Sequence, residues 1–128
     1  MLVSEFVNTM AFGMVKGMCK YGQMSNTYEQ NYFHLPRIYC KDGFNISVQV
    51  NRGNYCASEN GVRTFGTDWK LVEWGFPSEH IDGEKYNSEE ENTMESVGGY
   101  VEIGLLEELC EAHGGIDLQV TLKNGLDK

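Results

Sequence analysis

Residues 37–50 constrain the fold more than any other stretch. Asp42-Gly43 separates two short runs, 37–41 and 44–50. In the second run Phe44, Ile46, Val48 and Val50 alternate with Asn45, Ser47 and Gln49. Alternation with period two marks a strand with one buried face. Asp-Gly between two such runs is a hairpin turn, because Gly reaches positive φ without a steric penalty. The chain is thereby committed to an antiparallel sheet. A two-residue loop pairs Lys41 with Phe44 and Tyr39 with Ile46, and sends Ile38 and Cys40 to the opposite face. A longer loop reverses this, and the sequence leaves the register open.

Further strands are read downstream. Residues 51–54 (Asn-Arg-Gly-Asn) form a second turn leading to Tyr55-Cys56, and Asn60-Gly61 marks a third. Residues 69–76 read as a strand with Val72, Trp74 and Phe76 on one face, ended by Pro77. Residues 116–123 read as the last strand, with Ile116, Leu118, Val120 and Leu122 alternating.

Two segments carry helical spacing. In residues 4–20, Phe6, Val7, Met10, Ala11, Met14, Val15 and Met18 form one apolar stripe. Ser4 is the expected N-cap, with Glu5 in the first turn. Gly13 and Gly17 form a small-residue pair on this helix, and its methionines suit an adaptable contact surface. In residues 102–113, Leu105, Leu106, Leu109 and Cys110 follow Val101 as a buried stripe, with Glu107 and Glu111 on the solvent side. Gly114-Gly115 stops this helix. Residues 21–35 read as a polar connector, and Met24 is an alternative start that would make 1–23 a helical extension. The expected fold class is α+β: a hairpin-rich antiparallel sheet of four or five strands, helix 102–113 packed on one face, and an additional N-terminal amphipathic helix. The sheet's second face is then wet, covered by the N-terminal helix, or used for binding. The 128 residues suit one domain spanning 1–128.

Charge is unevenly distributed. Residues 1–70 hold seven Lys/Arg and five Asp/Glu, whereas residues 71–128 hold three and fourteen. The acidic half disfavours nucleic acid and anionic membranes, whose binding needs clustered Lys and Arg. It favours a basic protein groove. The carboxylates fall in two groups: Glu79, Asp82, Glu84, Glu89, Glu90, Glu91 and Glu95 in the polar loop 79–95, and Glu107, Glu108 and Glu111 on the second helix. These ten residues are the expected protein-binding surface.

Catalytic and metal signatures are weak. Cys19, Cys40, Cys56 and Cys110 include no C-x-x-C pair, and His34, His80 and His113 lie in three different elements. Gly98-Gly99 lacks the context of a phosphate loop. Neither a cofactor nor a metal is expected, and the chain is read as a non-enzyme. Arg37, Lys41, Arg52, Arg63 and Lys70 are too few for nucleic-acid binding against the overall charge. No basic n-region or long apolar run points to export or a membrane span, so a reducing cytoplasm with free thiols is expected.

Three blocks carry a resemblance: IYCKDGFNISVQVNRGNYC at 38–56, LVEWGFPSE at 71–79 and GGYVEIGLLEELCEAHGGI at 98–116. Their order and spacing resemble small uncharacterised proteins encoded by tailed bacteriophages and prophages, over about residues 36–116. The resemblance implies a mobile-element origin and a bacterial host cytoplasm, with no functional residue to carry over. The leading expectation is a small acidic phage-type accessory protein that inhibits a host protein, such as a nucleic-acid-binding defence enzyme, in the manner of an anti-CRISPR. One alternative is a phage structural or assembly protein that oligomerises through residues 4–20. Another is a small-molecule-binding protein or small enzyme with a pocket near Cys56, Trp69 and Trp74.

Overall fold

A computed structural model of the chain describes residues 1–15, 23–24, 33–50, 56–58 and 69–126. In chain order the elements are α1 (Val3–Val15), β1 (Gln23–Met24), β2 (Phe33–His34), β3 (Ile38–Tyr39), β4 (Asn45–Gln49), β5 (Ala57–Ser58), β6 (Trp69–Gly75), β7 (Val97–Glu102), α2 (Ile103–Ala112) and α3 (Leu118–Leu126). The class is α+β, with an antiparallel sheet and an N-terminal helix. The turns expected at 51–54 and 60–61 lie outside the described residues, as do Gly17, Met18 and Cys19.

The Asp42-Gly43 hairpin forms with the longer loop. Ile38 pairs with Ile46 and Tyr39 with Asn45. Cys40 N–H donates to Phe44 O at 2.7 Å, and Gly43 N–H donates to Cys40 O at 3.0 Å. Gly43 takes φ +99, so the loop is a tight turn followed by a left-handed glycine. This register adds the two apolar sets on one face: Ile38, Cys40, Phe44, Ile46, Val48 and Val50 are all buried.

β6 is the centre of the sheet. Its residues 73–75 pair with β4 and its residues 69–71 with β5, while β7 runs opposite 71–75. A strand has two edges, and β7 overlaps both of the other registers. Hence β4 and β5 share one edge of β6 and β7 takes the other. Five strands form four antiparallel rows: β3, then β4 with β5, then β6, then β7. A register shift opposite β5 places Trp69 and Val72, three residues apart, both in the core. β1 and β2 form a separate two-stranded ladder inside the segment expected to be a connector.

α2 lies across the sheet face that carries Phe44. The Phe44 ring stacks on His113, just past the end of α2, with centroids 4.0 Å apart. Ile103, Leu106 and Cys110 of α2 are buried. α1 packs beside α2 and against β6, burying Val3, Phe6, Val7 and Ala11. Both helices therefore cover one face and leave the other to the strands' alternate residues.

Two expected elements differ. Phe76 does not continue β6: it takes φ +50 and is 52% exposed. The following Pro77 bars the right-handed helical region at Phe76, and the left-handed turn sends the ring outward. The last strand is replaced by α3. Only Ile116 bridges to Cys40. Asp117 Oδ1 accepts from Val120 N–H at 3.2 Å, and Asp117 O accepts from Thr121 N–H at 3.0 Å; this is N-cap geometry. The helix buries Thr121 and leaves Leu118 and Val120 exposed, the reverse of what the strand reading requires. Thr121 Oγ1 accepts from Tyr39 N–H at 2.9 Å, and Asp117 N–H donates to Tyr39 O at 2.7 Å. The helix end thereby satisfies the edge strand β3 that a further strand would have paired.

Trp74 fixes how closely β7 approaches. Its indole lies against Gly98, where a Cβ would collide with the ring and with Tyr86 O. Replacing Gly98 with Ala is expected to cost about 2–3 kcal/mol, the order of an overpacked core. Urea unfolding of the variant against the parent chain measures it, and an unchanged midpoint contradicts this packing.

Candidate functional site

The acidic loop, residues 79–95, is held to the sheet at several points. Trp74 Nε1–H donates to Tyr86 O at 2.6 Å, with both groups buried. Ile81 N–H donates to Thr93 Oγ1 at 2.9 Å, and Asn87 Nδ2–H donates to Gly99 O at 2.7 Å. At the loop's entrance Ser78 N–H donates to Asn45 O at 2.8 Å, and Asn45 N–H to Ser78 Oγ at 2.9 Å. Thr93 opens a 3-10 turn, Thr93–Glu95, capped by the Asn92 side chain on Met94 N–H. Tyr86, Thr93 and Ser96 are buried. A loop of this length is either a functional feature or a mobile one, and these hydrogen bonds, the Trp74 one fully buried, give it a defined shape.

That shape is concave. An open depression of about 770 Å³ is lined by Glu84, Glu89, Glu90 and Glu91 around Ile81 and Thr93. The four carboxylates are exposed, and among the described residues none of them pairs with a cation. Lys85, the loop's one lysine, lies over the Tyr86 ring at 5.5 Å. Glu79, Asp82 and Glu95 are also exposed, outside the depression's lining. The hollow thus concentrates negative potential with no internal counter-charge, which suits a Lys or Arg side chain from a partner.

The second group of expected site residues is dispersed. Glu108 and Glu111 are exposed on α2. Glu111 lines a different depression, together with Lys41 and Glu107. Glu107 is turned inward: its Oε1 accepts from Val3 N–H at 2.7 Å and from Ser4 N–H at 3.5 Å. It therefore caps α1. Ser4, expected as the cap, is the second residue of the helix. The correction has a plain cause. A helix start leaves N–H groups without partners, and a carboxylate from a neighbouring helix serves as well as a local hydroxyl. Glu107 belongs to the packing of α1 on α2, not to a free acidic face.

No local pattern joins Asp42 with His113, yet the fold does. His113 Nδ1 lies 2.7 Å from Asp42 Oδ2, and Phe44 N–H donates to Asp42 Oδ1 at 2.9 Å. The Phe44 hydrogen bond, then the His113 hydrogen bond, hold the Asp42 carboxyl below its ordinary pKa. Asp42 N–H also donates to His113 O at 3.2 Å, and Lys41 N–H to Gly115 O at 3.0 Å. The hairpin loop is thereby latched to the end of α2. Gly-Gly just after the helix was the nearest signal, since it returns the chain toward the sheet.

The three described thiols are enclosed. Cys40, Cys56 and Cys110 are buried, and a hydrogen bond donated to the Cys40 sulfur, together with burial, raises the Cys110 thiol's pKa. Cys56, the cysteine expected in a turn-like setting, has no exposed surface, and a nucleophilic thiol needs access. Trp69 is buried too, with its Nε1–H lacking a hydrogen-bond partner. Among the described residues, no three His, Cys, Asp or Glu side chains converge to hold a metal ion. Nor is any helix long and apolar enough to cross a membrane.

No family model matches the chain, and no curated protein or solved structure is similar to it.

Two outcomes are expected. Replacing Glu107 with Ala removes the α1 cap and costs about 1 kcal/mol, the usual worth of an N-cap, read from the urea midpoint. For Asp42 the folded pKa lies below the unfolded one, about 3.9. Its contribution to stability is therefore complete above that pH and is lost as pH falls through the folded value. The stability gap between the parent chain and Asp42→Asn should hold steady at neutral pH and close below about pH 4. A gap that does not narrow at all as pH falls below about 4 would contradict the latch.

Proposed function

We propose that the protein is a non-enzymatic binding protein that inhibits a host protein by presenting carboxylates to a basic, nucleic-acid-binding surface. The observation that carries this reading is the anchored acidic hollow: Glu84, Glu89, Glu90 and Glu91 around a depression of about 770 Å³, with no cation paired to them among the described residues. A loop backbone already anchored to the sheet loses little conformational freedom on binding, which favours affinity over a fully solvated charge run. Their field also speeds encounter with a positive partner. In this reading the carboxylates stand where phosphates of a nucleic acid would lie. The resemblance to phage-encoded proteins supports a bacterial defence enzyme as the target, the mode of action of anti-CRISPR proteins.

The test is a pull-down from bacterial lysate with tagged protein, washed at low and at high salt. One stoichiometric protein that is retained at low salt and released at high salt is expected, because exposed charges are screened beyond about 8–10 Å at physiological ionic strength. The triple variant Glu89→Gln, Glu90→Gln, Glu91→Gln should bind that protein about tenfold more weakly, since exposed ion pairs are worth about 0.2–1 kcal/mol each. Affinity unchanged by the three substitutions, or binding that survives high salt undiminished, overturns the acidic-hollow reading.

A further inference from the structure

The sheet face turned away from α1 and α2 carries a second hollow, unlike the acidic one. Ser47 pairs with Gly75, and Gly75 with Val97. Arg37 precedes Ile38, whose partner is Ile46, so Arg37 falls opposite Ser47. Arg37, Ser47, Gly75 and Val97 thus form one line across the sheet. Gly75 contributes no side chain to that line, and a cavity of about 220 Å³ opens around it, with Phe76 at its edge. That volume is below the roughly 300–1,000 Å³ of sites for drug-sized ligands. It fits a much smaller molecule.

Its polar groups are prearranged donors. Arg37 is half-buried, with its Nε–H donating to Asn45 Oδ1 at 2.6 Å and its Nη2 group to Asn45 O at 3.4 Å. Nη2 also donates to Phe76 O. These bonds fix the guanidinium plane and leave Nη1 as a donor group. Among the described residues no carboxylate lies within ion-pair range of Arg37, and burial lowers its pKa. A desolvated guanidinium without a counter-ion is costly, and an anion removes the cost. Ser47 Oγ already accepts from Gln49 Nε2 at 2.9 Å, so its own proton is available to donate. Both groups ask for an acceptor oxygen.

The apolar side is equally specific. Phe76 holds φ +50, a conformation that costs a bulky residue free energy and that recurs at functional sites. The turn leaves the ring largely exposed at the cavity edge, beside Val97, which is also exposed. Glu73 lines the same cavity, so a dianion would be repelled. We propose that this cavity binds a small monocarboxylate, its oxygens taken by Arg37 Nη1 and the Ser47 hydroxyl and its apolar body packed against Phe76 and Val97.

Benzoate is the probe. Isotope-labelled protein is titrated with benzoate, and separately with benzamide, which has the same shape and no charge, while the amide resonances of Ser47, Gly75 and Phe76 are followed. Saturable shifts centred on these residues are expected with benzoate, with at least tenfold weaker response to benzamide. Ser47→Ala should weaken benzoate about tenfold or more, as loss of one hydrogen bond to a charged group does. Arg37→Gln should abolish saturation in a chain whose remaining resonances show it folded. Equal response to both probes, shifts centred elsewhere, or no shift at up to about 10 mM, a generous limit for a ligand this small, overturns the proposal. The comparison of the two probes uses the parent chain, so it stands even if Arg37→Gln does not fold.

Discussion

Trp74 is the side chain on which the rest of the arrangement turns. It sits on the central strand, fully buried, and its indole reaches across β7 over Gly98 to the backbone carbonyl of Tyr86. A buried aromatic of this size removes about 150–250 Å² from water, worth on the order of 4–6 kcal/mol at roughly 25 cal/mol per Å². That free energy belongs to the core, but the hydrogen bond spends its direction on the acidic loop. The loop's geometry is therefore coupled to the core's. Glycine at 98 is what allows the reach, because any side chain there would stand where the ring lies.

Around this centre the sheet's two edges are closed by different means. β3 is only two residues long, and its Tyr39 backbone groups are taken by Asp117 and Thr121 at the start of α3. β7 carries an irregular register between its pairs with Val72 and Trp74, with Tyr100 in the left-handed region, and its Gly99 carbonyl accepts from Asn87. Short strands, bulges and covering segments are the usual ways of keeping an edge from recruiting another strand. The Asp42–His113 contact belongs to the same closure, since it ties the hairpin turn to the chain reversal after α2.

Electrostatics divides the surface into two unlike regions. Most carboxylates stay in water, as desolvation demands, and the loop gathers four of them around one hollow. Glu107 is instead drawn inward, because the N–H groups of α1 offer it partners. On the sheet face opposite the helices a guanidinium, Arg37, and a carboxylate, Glu73, line one cavity. The acidic hollow and the cavity at Gly75 therefore share no lining residue.

The class of fold is legible in the residue pattern alone. Alternation at 44–50, helical spacing at residues 4–20 and 102–113, Gly-Gly at 114–115 and the long acidic loop all rest on local periodicity and turn chemistry, which neighbouring residues suffice to specify. That pattern also located the seven loop carboxylates, since charge runs are read directly. Tertiary structure decided what depends on partners distant in the chain. Residues 116–123 alternate as a strand does, yet they become helical because Asp117 caps the turn and Thr121 answers Tyr39, 82 residues away. Glu107 and Val3 meet across 104 residues, so no local pattern could separate that glutamate from Glu108 and Glu111. Phe76 reads as the next inward residue of its strand, and only the turn into Pro77 shows it facing out. The hollow at Gly75 needed a register across four strands, which alternation constrains to a face but never to a row.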